Sequence, residues 1–230
     1  MKNKKQFSKF HRIILSSFLV FITAFSAQAQ KSASDWNIAD YFKNLPKKYI
    51  TATGDFPKPT AENITVDEKN GYAAAFTDFP VTPEQFDGAV AVFQAALFKS
   101  QTKPPLLVVS NLKSDAVCDD YETFFLRRVG ENWTQVRGEV LPALPLKMFW
   151  DKPQSAARFK KIVEQDNSTT YHFEPSRAGT RMKVSLEICD YFLEVTPIGQ
   201  VDELTKIIES GKPIYLDWDK KNGRFKLADE

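Results

Sequence analysis

One five-residue pattern occurs twice in this chain and limits the fold more than any other feature. Asp67-Glu68-Lys69-Asn70-Gly71 separates Ile64–Asp67 from Tyr72–Phe76. Asp219-Lys220-Lys221-Asn222-Gly223 separates Ile214–Asp219 from Phe225–Leu227. Asn and Gly reach positive φ at low steric cost, as a tight reversal demands. With alternating segments on both sides, each pattern predicts an antiparallel hairpin. Gly130-Glu131-Asn132 reads as a third turn, joining Tyr121–Val129 to Trp133–Val136.

The rest of the chain extends this picture. Leu106–Ser110 reads as a strand, as do Tyr171–Glu174 and Met182–Ile188 around Arg177-Ala178-Gly179. Residues 82–99 carry part of a helical stripe, but Gly88 and the missing stop signal favour a strand. Three short helices are expected. In the first, Ser34–Leu45, Ile38, Tyr41, Phe42 and Leu45 fall at i, i+3, i+4 and i+7, with Ser34 as cap and Pro46 as stop. The second is Pro153–Gln165, with Asp151 as its cap, and the third is Val201–Ser210, closed by Gly211 and Pro213. Strands and helices do not alternate as βαβ units would. The expectation is an α+β fold: one domain over residues 30–230, an antiparallel β-meander of about ten strands with three short helices.

Residues 1–29 read as a cleavable export signal. Lys2, Lys4, Lys5, Lys9 and Arg12 precede the apolar run Ile13–Phe25, and Ala27-Gln28-Ala29 supplies small residues for cleavage between Ala29 and Gln30. The apolar run is shorter than the roughly 20 residues a spanning helix needs. Cleavage removes five basic side chains and no acid. The formal charge of +2 then becomes 26 basic against 29 acidic, or −3. A periplasmic or secreted location is expected, with no integral membrane segment after cleavage. The mature chain also lacks the concentrated positive face that phosphate backbones require, so no nucleic-acid partner is expected.

The two cysteines, Cys118 and Cys189, form one disulfide by default in an oxidising compartment. The bridge would close a loop of about 70 residues and contribute roughly 4 kcal/mol at most. The pair lacks the C-x-x-C spacing of a redox-active site.

No catalytic kit is visible, and the expectation is no catalytic residue, no metal and no cofactor. After cleavage His172 is the one remaining histidine, too few for a multi-histidine metal site. It reads as a solvent-facing or satisfied structural residue. Ser110-Asn111-Leu112-Lys113 matches S-x-x-K without its companion motifs and ends a strand instead of opening a helix. Phosphate-cradling glycine loops are absent. Asp217–Gly223 departs from a calcium loop at its fifth, sixth and twelfth positions. Asn63, Asn132 and Asn167 are N-x-[ST] sites.

Three tryptophans, Trp133, Trp150 and Trp218, are candidate binding residues, because indole rings favour stacking and pocket filling; core packing is the alternative. The stretches from Ala96-Leu97-Phe98-Lys99 to Ser110, Tyr121-Glu122-Thr123-Phe124-Phe125, and Asn132-Trp133 to Val140-Leu141-Pro142 resemble segments of uncharacterised exported bacterial β-rich proteins. The resemblance spans about a quarter of the chain and implies a β-rich exported protein with no particular activity. The function expected is a non-enzymatic binding or envelope-accessory protein acting through a β-sheet face on a protein, glycan or envelope component. Its rival is an envelope hydrolase using paired carboxylates.

Overall fold

Both Asp-x-Lys-Asn-Gly segments are hairpin turns in which the leading aspartate holds the asparagine. Asp67 Oδ1 accepts the Asn70 amide at 3.1 Å, and Asp67 Oδ2 accepts Asn70 Nδ2 at 2.9 Å. Asp219 Oδ1 accepts the Lys221 and Asn222 amides at 3.0 and 3.1 Å, and its Oδ2 accepts Asn222 Nδ2 at 2.6 Å. Gly71 and Gly223 close the turns at φ +66° and +62°.

The computed structural model describes residues 35–51, 56–76, 91–114, 119–163, 169–177, 180–188 and 198–229. Ten strands lie among them. β1 (Ile64–Asp67), β2 (Tyr72–Phe76), β3 (Ala91–Phe98), β4 (Leu106–Ser114), β5 (Asp119–Val129) and β6 (Asn132–Gln135) form one antiparallel sheet in chain order. β7 (Thr169–Pro175), β8 (Arg181–Ile188), β9 (Ile214–Asp219) and β10 (Arg224–Leu227) form a second antiparallel sheet, ordered β10-β9-β8-β7. The described helices are α1 (Ile38–Lys43), α2 (Arg137–Val140), α3 (Pro153–Val163) and α4 (Ile198–Glu209).

This corrects the expected single meander with three helices: the described residues are mostly β, with two sheets and four α-helices. The physical reason lies between β6 and β7, where a long connection carries α2, a 3₁₀ turn at Leu146–Phe149, and α3. A hairpin needs a short link, so the chain crosses to a second layer. Strand β9 shows why a second layer is required. Ile214, Leu216 and Trp218 are buried while Tyr215 is exposed, and a one-sided apolar sheet must cover that face with another element.

Two cores result. Between the sheets, Leu106, Val108 and Phe125 meet Phe173, Met182, Val184, Leu216, Trp218 and Phe225, joined by Phe159, Leu204 and Ile207 from α3 and α4. On the other face of the six-stranded sheet, α1 and the 3₁₀ turn Lys47–Tyr49 place Ile38, Tyr41 and Tyr49 over Ala73, Ala75, Val92 and Val109. The alanines of β2 are fully buried, and their small side chains let a helix lie close. Asn37 caps α1 in a capping box with Asp40, each backbone amide bonded to the other's side chain at 2.9 Å. The cap is therefore Asn37 where Ser34 was expected, and Ser34 lies outside the described residues. Within 82–99, the described part, Ala91–Phe98, is the expected strand.

The second turn also locks the two sheets together. Gln101 donates its amide to the Lys220 carbonyl at 2.9 Å, Thr102 Oγ1 to the Lys221 carbonyl at 2.9 Å, and Arg127 Nη2 to the Gly223 carbonyl at 2.6 Å. A Cβ on Gly223 would lie 2.8 Å from Ser100 Oγ and 3.3 Å from Arg127 Nη2. Gly223→Ala is therefore expected to cost about 1–3 kcal/mol, from left-handed strain plus displacement of these neighbours. Gly130→Ala has a similar φ of +62° but open space around its Cβ, and should cost about 1 kcal/mol or less. Urea denaturation of both variants checks the difference; equal losses would remove the steric part of the argument.

Candidate functional site

Alternation along β8 buries Met182 and Val184 and turns Arg181 and Lys183 the other way. These two cations line a cleft of about 390 Å³ where the two sheets meet. Tyr72 and Phe76 come from β2, Gln94 from β3, Glu174 and Pro175 from β7, and Tyr215 from β9. Ser176 and Arg177 come from the turn after β7.

Each cation is held by a carboxylate. Arg181 grips Asp217 through Nε at 2.8 Å and Nη2 at 3.2 Å, and its guanidinium lies 5.7 Å from the Tyr215 ring centre. Arg177 Nε donates to Asp67 Oδ2 at 3.0 Å, so the aspartate that orders the first hairpin turn also positions this arginine. Lys183 Nζ donates to Glu174 Oε2 at 3.0 Å. An arginine carries five N–H donors, and the bidentate grip on Asp217 uses two of those on Arg181. The lining residues include three positive side chains and one carboxylate, Glu174; Asp67 and Asp217, which hold the two arginines, are not among them. Gln94 Oε1 is buried without a hydrogen-bond partner, an acceptor whose desolvation a donor would offset.

The protonation states suit binding. The Asn70 side chain foremost, then the Arg177 guanidinium, holds Asp67 below the ordinary carboxylate value. The Arg181 hydrogen bond does the same for Asp217. Lys183 is raised by its bond to Glu174 and stays charged. Burial, then the charge of Glu174, pushes the Tyr72 phenol up, so it remains a neutral hydroxyl.

His172 lies elsewhere and is buried, in place of the solvent-facing alternative. It stacks on Tyr121 with ring centres 3.6 Å apart, its Nδ1 is 3.4 Å from Glu187 Oε1, and its Nε2 is buried without a partner. Glu187 also accepts from Ser185 Oγ at 3.1 Å, and the His172 hydrogen bond is the main cause of its lowered pKa. For Asp67, Glu187 and Asp217 the folded pKa lies below the unfolded value. Their stabilisation is complete above the ordinary values of 3.8 and 4.5 and disappears as pH falls through the folded ones. A thermal-melting series is expected to show an acid limb starting near the ordinary value of 4.5 and steepening below it. Glu187→Gln should begin with a lower Tm at neutral pH and fall less steeply; an unchanged acid limb would remove Glu187 from this account.

The tryptophans divide. Trp150 and Trp218 are 5% and 6% exposed, and their indole N–H groups donate to the Ile207 and Lys99 carbonyls, each at 2.8 Å. Neither ring is presented on an exposed sheet face. Trp133 on β6 is half-buried, edge-on to Tyr41 with ring centres 5.9 Å apart, near Trp36, over which Arg128 lies at 4.0 Å. None of the three lines the cationic cleft. Ser110 is buried and shares a 3.3 Å hydroxyl contact with Thr123, as an interior strand residue would. Asn132 is exposed on β6, whereas Asn63 Nδ2 is bonded to the Lys58 carbonyl at 2.6 Å. Cys118, Cys189 and Asn167 lie outside the described residues. Among the described residues no group of three or more His, Cys, Asp or Glu side chains could hold a metal ion. No described helix is long and apolar enough to cross a membrane.

Sequence reasoning missed the cleft. Arg181 and Lys183 carried a signal, as outward positions on a strand with buried alternates, but pairing Arg177 with Asp67 across 110 residues needs the folded chain.

No protein-family model and no curated protein matches the chain. Among solved structures, it is similar to a domain of an uncharacterized protein from Porphyromonas gingivalis W83. The TM-score is 0.42 and the identity 12%, over 60% of this chain and 66% of that one.

Proposed function

We propose that this chain is an exported, non-catalytic binding protein that takes an anionic ligand into the cleft where its two sheets meet. The observation carrying this reading is the convergence of Arg177, Arg181 and Lys183 on one cleft, each oriented by a carboxylate. A site of this kind is built to hold charge. A donor on the ligand, where it has one, would also offset the desolvation of the buried Gln94 Oε1. Binding is favoured over paired-carboxylate hydrolysis because the cleft is lined by one carboxylate, Glu174, already bonded to Lys183 at 3.0 Å, whereas that chemistry needs two. The ligand is a small anion or the anionic group of an envelope component.

Export belongs to the same proposal. Residues 1–29 act as the signal, residues 30–230 form the mature domain in the periplasm or medium, and Cys118 pairs with Cys189. N-terminal sequencing of protein recovered from cells should begin at Gln30; a start at Met1 in a cytosolic fraction would end the export reading.

Calorimetric titration of the mature chain at low salt with succinate, glucuronate and inorganic phosphate tests the cleft. At least one is expected to bind with a Kd of roughly millimolar or tighter, weakening as salt is added. The double substitution Arg177→Gln, Arg181→Gln should reduce that affinity at least about ten-fold. Absence of binding by all three, or binding indifferent to the double substitution, would overturn the proposal.

A further inference from the structure

Beside the cationic cleft lies a second cavity of about 210 Å³, walled by Phe149, Trp150, Phe159, Leu186, Ile208 and Pro213. Lys183 lines both spaces. The walls differ in chemistry. The cleft gathers Arg177, Arg181 and Lys183 beside Tyr72, Phe76 and Tyr215, whereas the second cavity sets Lys183, Ser185 and Lys212 among three aromatic rings and aliphatic side chains, and the Trp150 N–H is already committed to the Ile207 carbonyl. Lys212, which also lines the second cavity, bonds Asp151 Oδ1 through Nζ at 2.5 Å.

The two spaces follow one another along β8. Arg181 lines the first, Lys183 both, and Ser185 and Leu186 the second. Five residue steps from Arg181 to Leu186 cover about 16 Å of extended strand. Lys183 sits at the junction, in register with Glu174 on β7 and Tyr215 on β9. An ion pair exposed to water contributes little to affinity, so a simple inorganic anion would use only the weaker half of such a surface. A cavity with apolar walls and a few placed polar groups is the usual form of a small-molecule site.

We infer that the two spaces are compartments of one site, and that its ligand is an amphiphilic anion: a carboxylate held by the cleft cations, with an alkyl chain of medium length in the aromatic cavity. This rests on the anion-binding reading of the cleft and adds the class of ligand. Each methylene taken from water into the cavity should raise affinity about four-fold.

The test compares octanoate, butyrate and octylammonium against the mature chain by calorimetry, with succinate as the cleft probe. Octanoate, longer by four methylenes, is expected to bind roughly 250-fold tighter than butyrate if the whole chain is taken up, and octylammonium far more weakly than octanoate. Ile208→Phe, which fills the cavity, should abolish the chain-length advantage and leave succinate binding unchanged. Succinate binding with octanoate no tighter than butyrate would overturn this inference while sparing the cleft reading. Equal binding of octanoate and octylammonium would overturn it too, since the cations would then play no part in choosing the ligand. Failure of every anion would remove both. The wild-type series decides these outcomes even if the substituted chain does not fold.

Discussion

Replacing Phe125 with alanine is expected to cost about 3–5 kcal/mol, the usual range for truncating a buried aromatic ring. Phe125 is fully buried on β5 of the six-stranded sheet. It meets Phe173 of the other sheet edge-on, with ring centres 5.2 Å apart, and Phe225 at 6.5 Å. Its removal opens a cavity between the two layers, where neither sheet can close the gap without moving as a whole. Domains of this size are stable by only about 5–15 kcal/mol, so the variant should sit near the edge of folding, with a Tm lower by roughly 6–20 °C. Val129→Ala, at a side chain 62% exposed on the same strand, should change stability by less than about 0.5 kcal/mol. Equilibrium urea denaturation of both variants measures the contrast. A loss below about 1 kcal/mol at Phe125 would contradict the position of the inter-sheet core.

The second large effect is expected from the proposed Cys118–Cys189 bridge. β5 begins at Asp119 and β8 ends at Ile188, next to the two cysteines in sequence. Near these ends Tyr121 of β5 stacks on His172 of β7, which in turn faces Glu187 of β8. A bridge at this corner would tie one sheet to the other and remove about 4 kcal/mol of loop entropy from the unfolded chain, with native strain lowering the net gain. Urea midpoints of the exported protein should therefore drop on adding dithiothreitol, and Cys118→Ser should reproduce the drop. Equal midpoints with and without reductant, or two free thiols by mass spectrometry, would end the proposal.

Local structure was readable from the residues wherever one short segment decided it. The paired Asp-x-Lys-Asn-Gly turns are the clearest case, because their Asp, Asn and Gly make all the decisive bonds within five residues. The three-residue and four-residue spacings that marked α1, α3 and α4 likewise matched buried positions such as Ile38, Phe159 and Leu204. The division into two layers was harder to read, since it depends on where the segment between β6 and β7 carries the chain. α2 escaped notice because four residues, Arg137–Val140, hold too little periodicity to register. As residue types Trp150 and Trp218 are candidate anchors; only the folded chain shows that their N–H groups donate to backbone carbonyls and that Trp150 lines the second cavity. The cleft was hidden for a related reason. Arg177 sits in what reads as an ordinary turn, and its meaning comes from Asp67, which the hairpin register delivers from 110 residues away.

The bonds between residues 100–102 and 220–221 join parts of the chain about 120 positions apart, and Phe225 completes a ring cluster begun by Phe98. Contacts of such long sequence separation make self-assembly slow, because loop entropy is lost before most of the interior forms. The first sheet can register by neighbour-to-neighbour zipping, yet its inward surface stays wet until β9 and β10 arrive. Refolding is therefore expected to show its late phase in the fluorescence of Trp218, well after the bulk of the strand signal has appeared.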